Sequence, residues 1–212
     1  MLVAHLPLYG LRVRTPDLEL RLADLAELAR LGDAAAAGIH DPDVLPFMHP
    51  WTQEPDVGRR VILGALAELG QWRPDDWSLG LVAFHDGEPI GRQILSAKEY
   101  AVTREVRTWS WMGRSFHGQG LGTQMRAAVL ALAFDGLGAL SACSAAFLDN
   151  HSSLRVSEKL GYQPDGVQVD AVRGRPTISR RLRLTRERWA LHSRVPVEIE
   201  GLDPCLEMFG LG

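Results

Sequence analysis

The chain has 212 residues, 46% hydrophobic and 23% charged, enough for one domain with a substantial core. A net charge of −3 offers no basic field for nucleic acid, and its 23 basic side chains include only two lysines. Two distant cysteines, Cys143 and Cys205, lack metal-ligand spacing, and no apolar run approaches the ~20 residues of a membrane span. With no basic-then-apolar leader evident, these features predict a soluble cytoplasmic protein without metal, nucleic acid or membrane partner.

In chain order, residues 11–21 alternate apolar and polar around Thr15-Pro16-Asp17, and 18–21 predicts a strand. Residues 22–31 predict a helix with Leu22, Leu25, Leu28 and Ala29 on its apolar face, continuing through the Ala-rich 33–38 after a break near Gly32. Residues 39–55 hold prolines at 42, 46, 50 and 55, which exclude a regular helix, yet carry Phe47, Met48 and Trp51 beside His40 and His49. Such a loop is either a lid packed on the sheet or the wall of a site. Residues 56–72 predict a helix using Val57, Val61, Leu63, Leu66 and Leu69.

Residues 77–84 and 89–96 predict an antiparallel hairpin through Asp86-Gly87, and 98–105 a polar connection. A strand follows over 106–112, then a Gly-rich turn, then a helix over 123–134 with Met125, Ala128, Val129 and Leu132 on one face. Residues 142–148 read as a short buried strand, and 150–161 as a capped helix ending at Gly161. A final hairpin spans 166–171 and 177–184, before a short helix over 185–192. The order is β-α-α-β-β-β-α-β-α-β-β: one domain over 1–192. A tail over 193–212 is expected to pack on that domain or on a partner subunit.

The strand–turn–helix at 106–134 organises the rest. Gly118, Gly120 and Gly122 alternate along its turn, letting backbone approach a ligand closely. The helix that follows offers unpaired N–H groups and the positive end of its dipole, a cradle for phosphate. A Walker loop is excluded because Thr123 and Gln124 follow the last glycine instead of Lys-Ser/Thr. A Rossmann fingerprint is excluded because the third glycine comes one residue early. An ordinary Gly-rich turn and a cradle for some other phosphate ligand both remain open on these residues alone.

Three separated pieces add a family resemblance. Leu11-Arg12-Val13-Arg14-Thr15-Pro16-Asp17-Leu18-Glu19-Leu20-Arg21 resembles the opening "LxLRTPRLxLR" of the GCN5-related N-acetyltransferases (GNATs) in the subgroup of the ribosomal-protein N-terminal acetyltransferases. Ser110-Trp111-Met112-Gly113 with Gly118-Gln119-Gly120-Leu121-Gly122-Thr123 resembles its "GYWLG…GxGxGTE", and His117 stands where Gln or Arg is more usual. Residues 150–162 resemble "NxxSxxVxEKxGF", and the three pieces fall in the family's order over about 150 residues. The loop at 39–55 is similar to one bacterial branch, some of whose members use acyl donors larger than acetyl.

The resemblance implies a mixed, mostly antiparallel α/β (α+β) sheet of about six or seven strands with helices on both faces. It implies acetyl-CoA or another acyl-CoA, such as succinyl-CoA, as co-substrate. The amides of His117, Gly118, Gln119, Gly120, Leu121, Gly122 and Thr123 would hold its pyrophosphate. Trp111, Met112 and Gly113 would pair with the pantetheine arm and polarise the thioester carbonyl. Asn150 would bond that arm, and equally reads as a plain helix N-cap. The amine attacks the thioester directly, which needs a deprotonated amine and a donor to the leaving thiolate. Many GNATs place a Tyr donor at the position of Ser157; here Ser153 is the first candidate and Ser157 the second, each otherwise a small packed residue. No base stands out among Glu105, His40, Asp41 and His85.

The acceptor is expected opposite the CoA, between the 39–55 loop and the strands from Trp77 and Pro89, with His40, Phe47, Trp51, Trp77 and Gln93 as its lining. A small-molecule amine, or a protein N-terminus or lysine, suits such walls, and family habit suggests a homodimer or higher homo-oligomer. The rival readings are a non-catalytic acyl-CoA-binding module and a nucleotide-binding regulatory domain.

Overall fold

The computed structural model describes residues 1–41 and 43–212; Pro42, one of the four loop prolines, lies outside the described residues. The chain opens with a single helical turn, α1 (Leu2–His5), and two short strands, β1 (Arg12–Arg14) and β2 (Glu19–Arg21). Two helices follow, α2 (Leu25–Ala36) and α3 (Val57–Gly70), then the long hairpin β3 (Asp76–His85) and β4 (Glu88–Lys98). A turn of helix, α4 (Tyr100–Thr103), leads into β5 (Glu105–Met112), the glycine loop and α5 (Leu121–Ala131), which ends in a wide turn over Leu132–Gly136. The chain closes with β6 (Ser141–Phe147), α6 (His151–Lys159), the hairpin β7 (Gln163–Val172) and β8 (Arg175–Thr185), α7 (Arg186–His192) and β9 (Glu198–Glu200).

One nine-stranded sheet results, in the order β7-β8-β6-β5-β4-β3-β2-β1-β9. Every neighbouring pair is antiparallel except β5 and β6. Nine strands replace the expected six or seven. Alternation on both sides of Thr15-Pro16-Asp17 makes two strands, and the tail supplies β9, whose Ile199 pairs with Val13. The tail also packs on this domain: Phe209 is fully buried, edge-on to Trp72 and Trp77, and the Trp72 indole donates to the Met208 carbonyl.

The sheet separates two hydrophobic clusters, as the period-2 alternation of β3 requires. Leu79, Leu81 and Ala83 face α5, whereas Val82 and Phe84 face α2 and α3. Residues from Met125 to Ala131 are buried all round, because α5 is covered by the sheet on one side and by later elements on the other. The unbroken α2 buries Leu28, Leu31, Gly32 and Ala35, leaving Leu25 65% exposed, so both the predicted break and the predicted stripe are corrected. Gly32 is there for close packing: a Cβ on it would lie 3.0 Å from the Gly58 Cα of α3. The connection over 98–105 is not merely polar either, since Tyr100 is fully buried and donates to the Leu137 carbonyl.

A capping box starts α2. Asp24 accepts from the Glu27 amide while Glu27 accepts from the Asp24 amide, and Arg21 grips both Glu27 oxygens. The Arg21 guanidinium is the main cause that lowers the Glu27 carboxyl from 4.5 to about 2. A depressed folded-state value contributes stability that is present above 4.5 and lost as pH falls towards 2. Acid titration followed by circular dichroism should therefore show a flatter loss of stability below pH ~4.5 in Glu27→Gln than in the unsubstituted protein. Identical acid limbs would remove Glu27 from the acid response.

Candidate active site

The site begins where β5 leaves β6. The two parallel strands pair only from Glu105 with Ser141 to Arg107 with Cys143. Beyond that, β5 stays registered with β4 through Met112, and β6 stays registered with β8 through Phe147. Each is held by its outer neighbour, so the two diverge, and the edge of β5 from Thr108 to Met112 has no strand partner among the described residues. Gly91 lets β4 and β5 approach closely here, since a Cβ on it would lie 2.4 Å from the Trp111 carbonyl oxygen.

At the end of β5 the chain turns sharply. The Gly113 amide donates to the Ile90 carbonyl and the Arg114 amide to the Gly38 carbonyl, which fixes the turn to β4 and to the end of α2. The His117 ring lies 3.0 Å from the Met112 carbonyl, and the Gln119 amide group donates to the Ser115 carbonyl. Gly118 and Gly120 take left-handed φ angles of 77° and 84°, with no atom within 4 Å of where a Cβ would stand. No described residue accepts from the amides of Gly118, Gln119, Gly120, Leu121 or Gly122. Five consecutive donors at the start of an eleven-residue helix form a nest for an anion.

Gln124 then locks this loop to the chain's opening. Its oxygen accepts from the Thr15 hydroxyl at 2.8 Å and the Asp17 amide at 3.1 Å, while its nitrogen donates to the Asp17 carboxylate. The Thr15-Pro16-Asp17 turn and the glycine loop, 109 residues apart at Thr15 and Gln124, are thus one structural unit. This explains why both matter to one pattern.

On the opposite side of β5 lies a cleft of about 1130 Å³. Its walls are the 46–56 loop, the outer side of α3, β5, and the β6–β8 region including Ser144 and Arg183. Leu63, 57% exposed on α3, faces this space, which corrects its expected role as a core contact. A chain of rings ties the loop to the sheet: His40 to Phe47, Phe47 to Trp51 and Trp51 to Trp111, with centroids 5.8, 5.4 and 5.7 Å apart. Phe47, Trp51 and Trp111 line the cleft. His40 lies behind it, bonded to the Thr52 hydroxyl at 2.7 Å.

Besides His40, two more expected lining residues, Trp77 and Gln93, are elsewhere. Trp77 is 1% exposed, stacked on Trp72 and edge-on to Tyr100 within the α5-side cluster. Gln93 is fully buried, donating to the Trp109 carbonyl, with its own oxygen unpartnered. Alternation along β3 and β4 turns both away from the cleft.

The cleft instead holds an ion pair between segments far apart in sequence. Arg92 of β4, 5% exposed, donates to Glu68 of α3 at 2.8 Å and to the Gly80 carbonyl at 3.3 Å. Gly80 makes room for it, because a Cβ there would fall 1.8 Å from the guanidinium. Burial pushes the Glu68 carboxyl above its ordinary range despite Arg92. At the far end Arg183 bridges Glu105 and Asp165. Among the described residues, no group of three or more His, Cys, Asp or Glu could hold a metal ion.

The expected donors sit on α6. Asn150 caps it by accepting from the Ser153 amide at 3.1 Å. Ser157 is 1% exposed, donates to the Ser153 carbonyl at 3.0 Å and accepts from Arg126 of α5 at 2.8 Å. Arg126 itself is 5% exposed and is not among the residues expected from sequence.

A family model described as an acetyltransferase (GNAT) domain matches residues 17–163. Among solved structures, Mycobacterium smegmatis RimJ in complex with CoA-disulfide is 16% identical, with 89% of this chain and 97% of that chain covered at a TM-score of 0.66. A GCN5-related N-acetyltransferase from Brucella melitensis is 15% identical, covering 84% and 80% at 0.66. RimL, a ribosomal L7/L12 alpha-N-protein acetyltransferase in complex with coenzyme A, is 18% identical, covering 81% and 95% at 0.59. At these identities the structural likeness speaks to the fold.

Proposed function

The chain belongs to the acetyltransferase (GNAT) family of N-acetyltransferases, and we propose that it joins an acyl-CoA and a primary amine in a ternary complex, where the amine attacks the thioester directly. The observation that carries this reading is the pairing of the split between β5 and β6 with the glycine loop. Five free amides and an unpartnered strand edge fit a long molecule with an anionic end and amide groups along its length. Residues 117–123 would hold the pyrophosphate, and the backbone of residues 111–113 would hold the pantetheine arm and the carbonyl oxygen.

The amine enters from the other face, through the cleft walled by Phe47 and Trp51. Its nitrogen lone pair forms the bond to the carbonyl carbon, the C–S electron pair leaves with sulfur, and the nitrogen loses a proton. Glu68 is our candidate to take that proton. It lines the cleft, and burial raises its carboxyl above the ordinary range, which strengthens it as a proton acceptor. The donor is acetyl-CoA or a larger acyl-CoA such as succinyl-CoA. The acceptor is a small amine or a protein N-terminus or lysine, and the likeness to RimL, an alpha-N-protein acetyltransferase, lends support to an N-terminus.

Calorimetric titration with acetyl-CoA, succinyl-CoA, CoA and ATP, side by side, tests the reading. We expect one acyl-CoA to bind at least as tightly as CoA, with ATP far weaker. Preference for ATP, or no binding at all, would overturn it. Binding without turnover across an amine screen would favour a non-catalytic acyl-CoA module.

A further inference from the structure

The charges that line the cleft do not cancel. Six arginines and four carboxylates line it, in a protein whose net charge is −3. All four carboxylates are already engaged. Asp56 pairs with Arg59 at 3.0 Å, Glu68 with Arg92 at 2.8 Å, and Glu105 and Asp165 both with Arg183. Arg60 reaches outside the lining to Glu54 at 2.6 Å. Arg107 and Arg181 remain, and neither pairs with a carboxylate among the described residues.

The strands set where these two stand. Alternation puts Glu105, Arg107, Trp109 and Trp111 on the cleft face of β5. Arg107 is in register with Cys143 of β6, and Cys143 with Arg183 of β8. The next row on that face joins Ala145 to Arg181. Cys143 and Ala145, both small, therefore floor a gap with Arg107 on one side and Arg181 on the other. Two strand spacings, roughly 10 Å, separate the two backbones. Arg181 is held in place: its Nε donates to the Asp165 carbonyl at 2.9 Å. The irregular register of β7 leaves Gly166 beside it at a φ of 92°, where a Cβ would fall 2.8 Å from the guanidinium. No terminal nitrogen of Arg107 or Arg181 donates to a described residue.

We propose that the acceptor is an acidic N-terminal segment of a protein, its carboxylates read by Arg107 and Arg181 while its amine reaches the thioester. This inference rests on the acyl-CoA reading of the site. Arg107 precedes Trp111, where that reading puts the thioester carbonyl, by four residues of β5, about 13 Å. An extended peptide covers that span in about four residues, so the acidic side chain falls near its fourth position. Trp109, 45% exposed, stands between them as a flat wall for the intervening residues. A guanidinium takes a carboxylate through two parallel N–H···O bonds, and so selects an acid over its amide. An α-amino acid spans far less than 13 Å, and a cleft of about 1130 Å³ exceeds the usual room for a small ligand. A polyamine would find every carboxylate of the lining already paired.

The test reads binding, so it does not depend on turnover. Protein saturated with CoA is titrated calorimetrically with three amidated heptapeptides that differ only at the fourth residue: glutamate, glutamine or lysine. The glutamate peptide should bind about ten-fold tighter than the glutamine peptide, with the lysine peptide weakest. Added salt should shrink that preference. Arg107→Gln should bring the glutamate and glutamine peptides to one affinity, Arg107→Lys should keep part of the difference, and Arg181→Gln should weaken it. CoA affinity, measured first in each variant, should stay as it was. Absence of peptide binding to the CoA-loaded protein, or equal affinity for the glutamate and glutamine peptides, would overturn the proposal. So would tighter binding of spermidine than of the glutamate peptide, or a preference left intact in Arg107→Gln. Failure of CoA to bind the unsubstituted protein would instead overturn the acyl-CoA reading itself.

Discussion

Gly120→Glu abolishes acyl-CoA binding while the protein still folds. The position has a φ of 84° and nothing within 4 Å of where a Cβ would stand, so the substitution meets backbone strain but no steric wall. That strain costs about 1–2 kcal/mol, small against the stability of a domain this size. The substitution, however, puts a carboxylate on the middle residue of the five whose amides we assign to a pyrophosphate. One like-charge contact at ~4 Å costs about 4 kcal/mol at an effective dielectric of 20, close to three decades in Kd. Gly120→Gln carries the same strain and bulk without the charge and should lose far less. Added salt should recover part of the affinity of the glutamate variant and little of the glutamine variant. Calorimetry of the three proteins at two ionic strengths measures this directly. Unchanged affinity in Gly120→Glu would remove the loop from the CoA site.

How much of this site is legible in the sequence depends on how local each signal is. The glycine loop is legible because its chemistry is written in neighbouring residues: strand formers, alternating glycines, then helix formers. Asn150 as an N-cap is legible for the same reason. Period-2 alternation shows which residues share a face, but not which face meets the cleft. Trp77 and Gln93 therefore lie away from the cleft that sequence alone assigns them to. The pair between Glu68 and Arg92 depends on a helix crossing a strand 24 residues later, which no local pattern announces. Its trace is Gly80, a glycine inside a strand where another side chain crosses. Arg126 leaves a trace too: it is the only charged residue between Met125 and Phe134, an otherwise apolar run in a helix buried all round. The Leu63 and Leu66 positions on α3 mislead in the opposite sense. Apolar residues at helical spacing read as core contacts, yet both are exposed, with Leu63 facing the cleft.

Glu68→Gln lowers kcat by about 10²–10⁴ at neutral pH if Glu68 accepts the amine proton, the usual worth of a positioned base. The variant keeps the shape of the side chain and its oxygen acceptor, but leaves Arg92, 5% exposed, without an opposite charge. Removing one partner of a buried pair costs ~3–5 kcal/mol, so a fall in Tm is expected alongside the fall in rate. The two effects separate in the double variant Glu68→Gln with Arg92→Met. Replacing the buried cation with an apolar side chain of similar length should recover Tm and leave kcat low. The pH profile supplies a second readout. A base must be deprotonated to work, and the carboxyl of Glu68 is raised by burial, so kcat should climb through a limb above its ordinary 4.5. That limb should vanish in Glu68→Gln, while the KM for acyl-CoA stays close to its original value because the glycine loop lies across the sheet. Normal kcat in the double variant would show that the pair serves only to brace α3 against β4. The proton would then leave by way of water in the cleft.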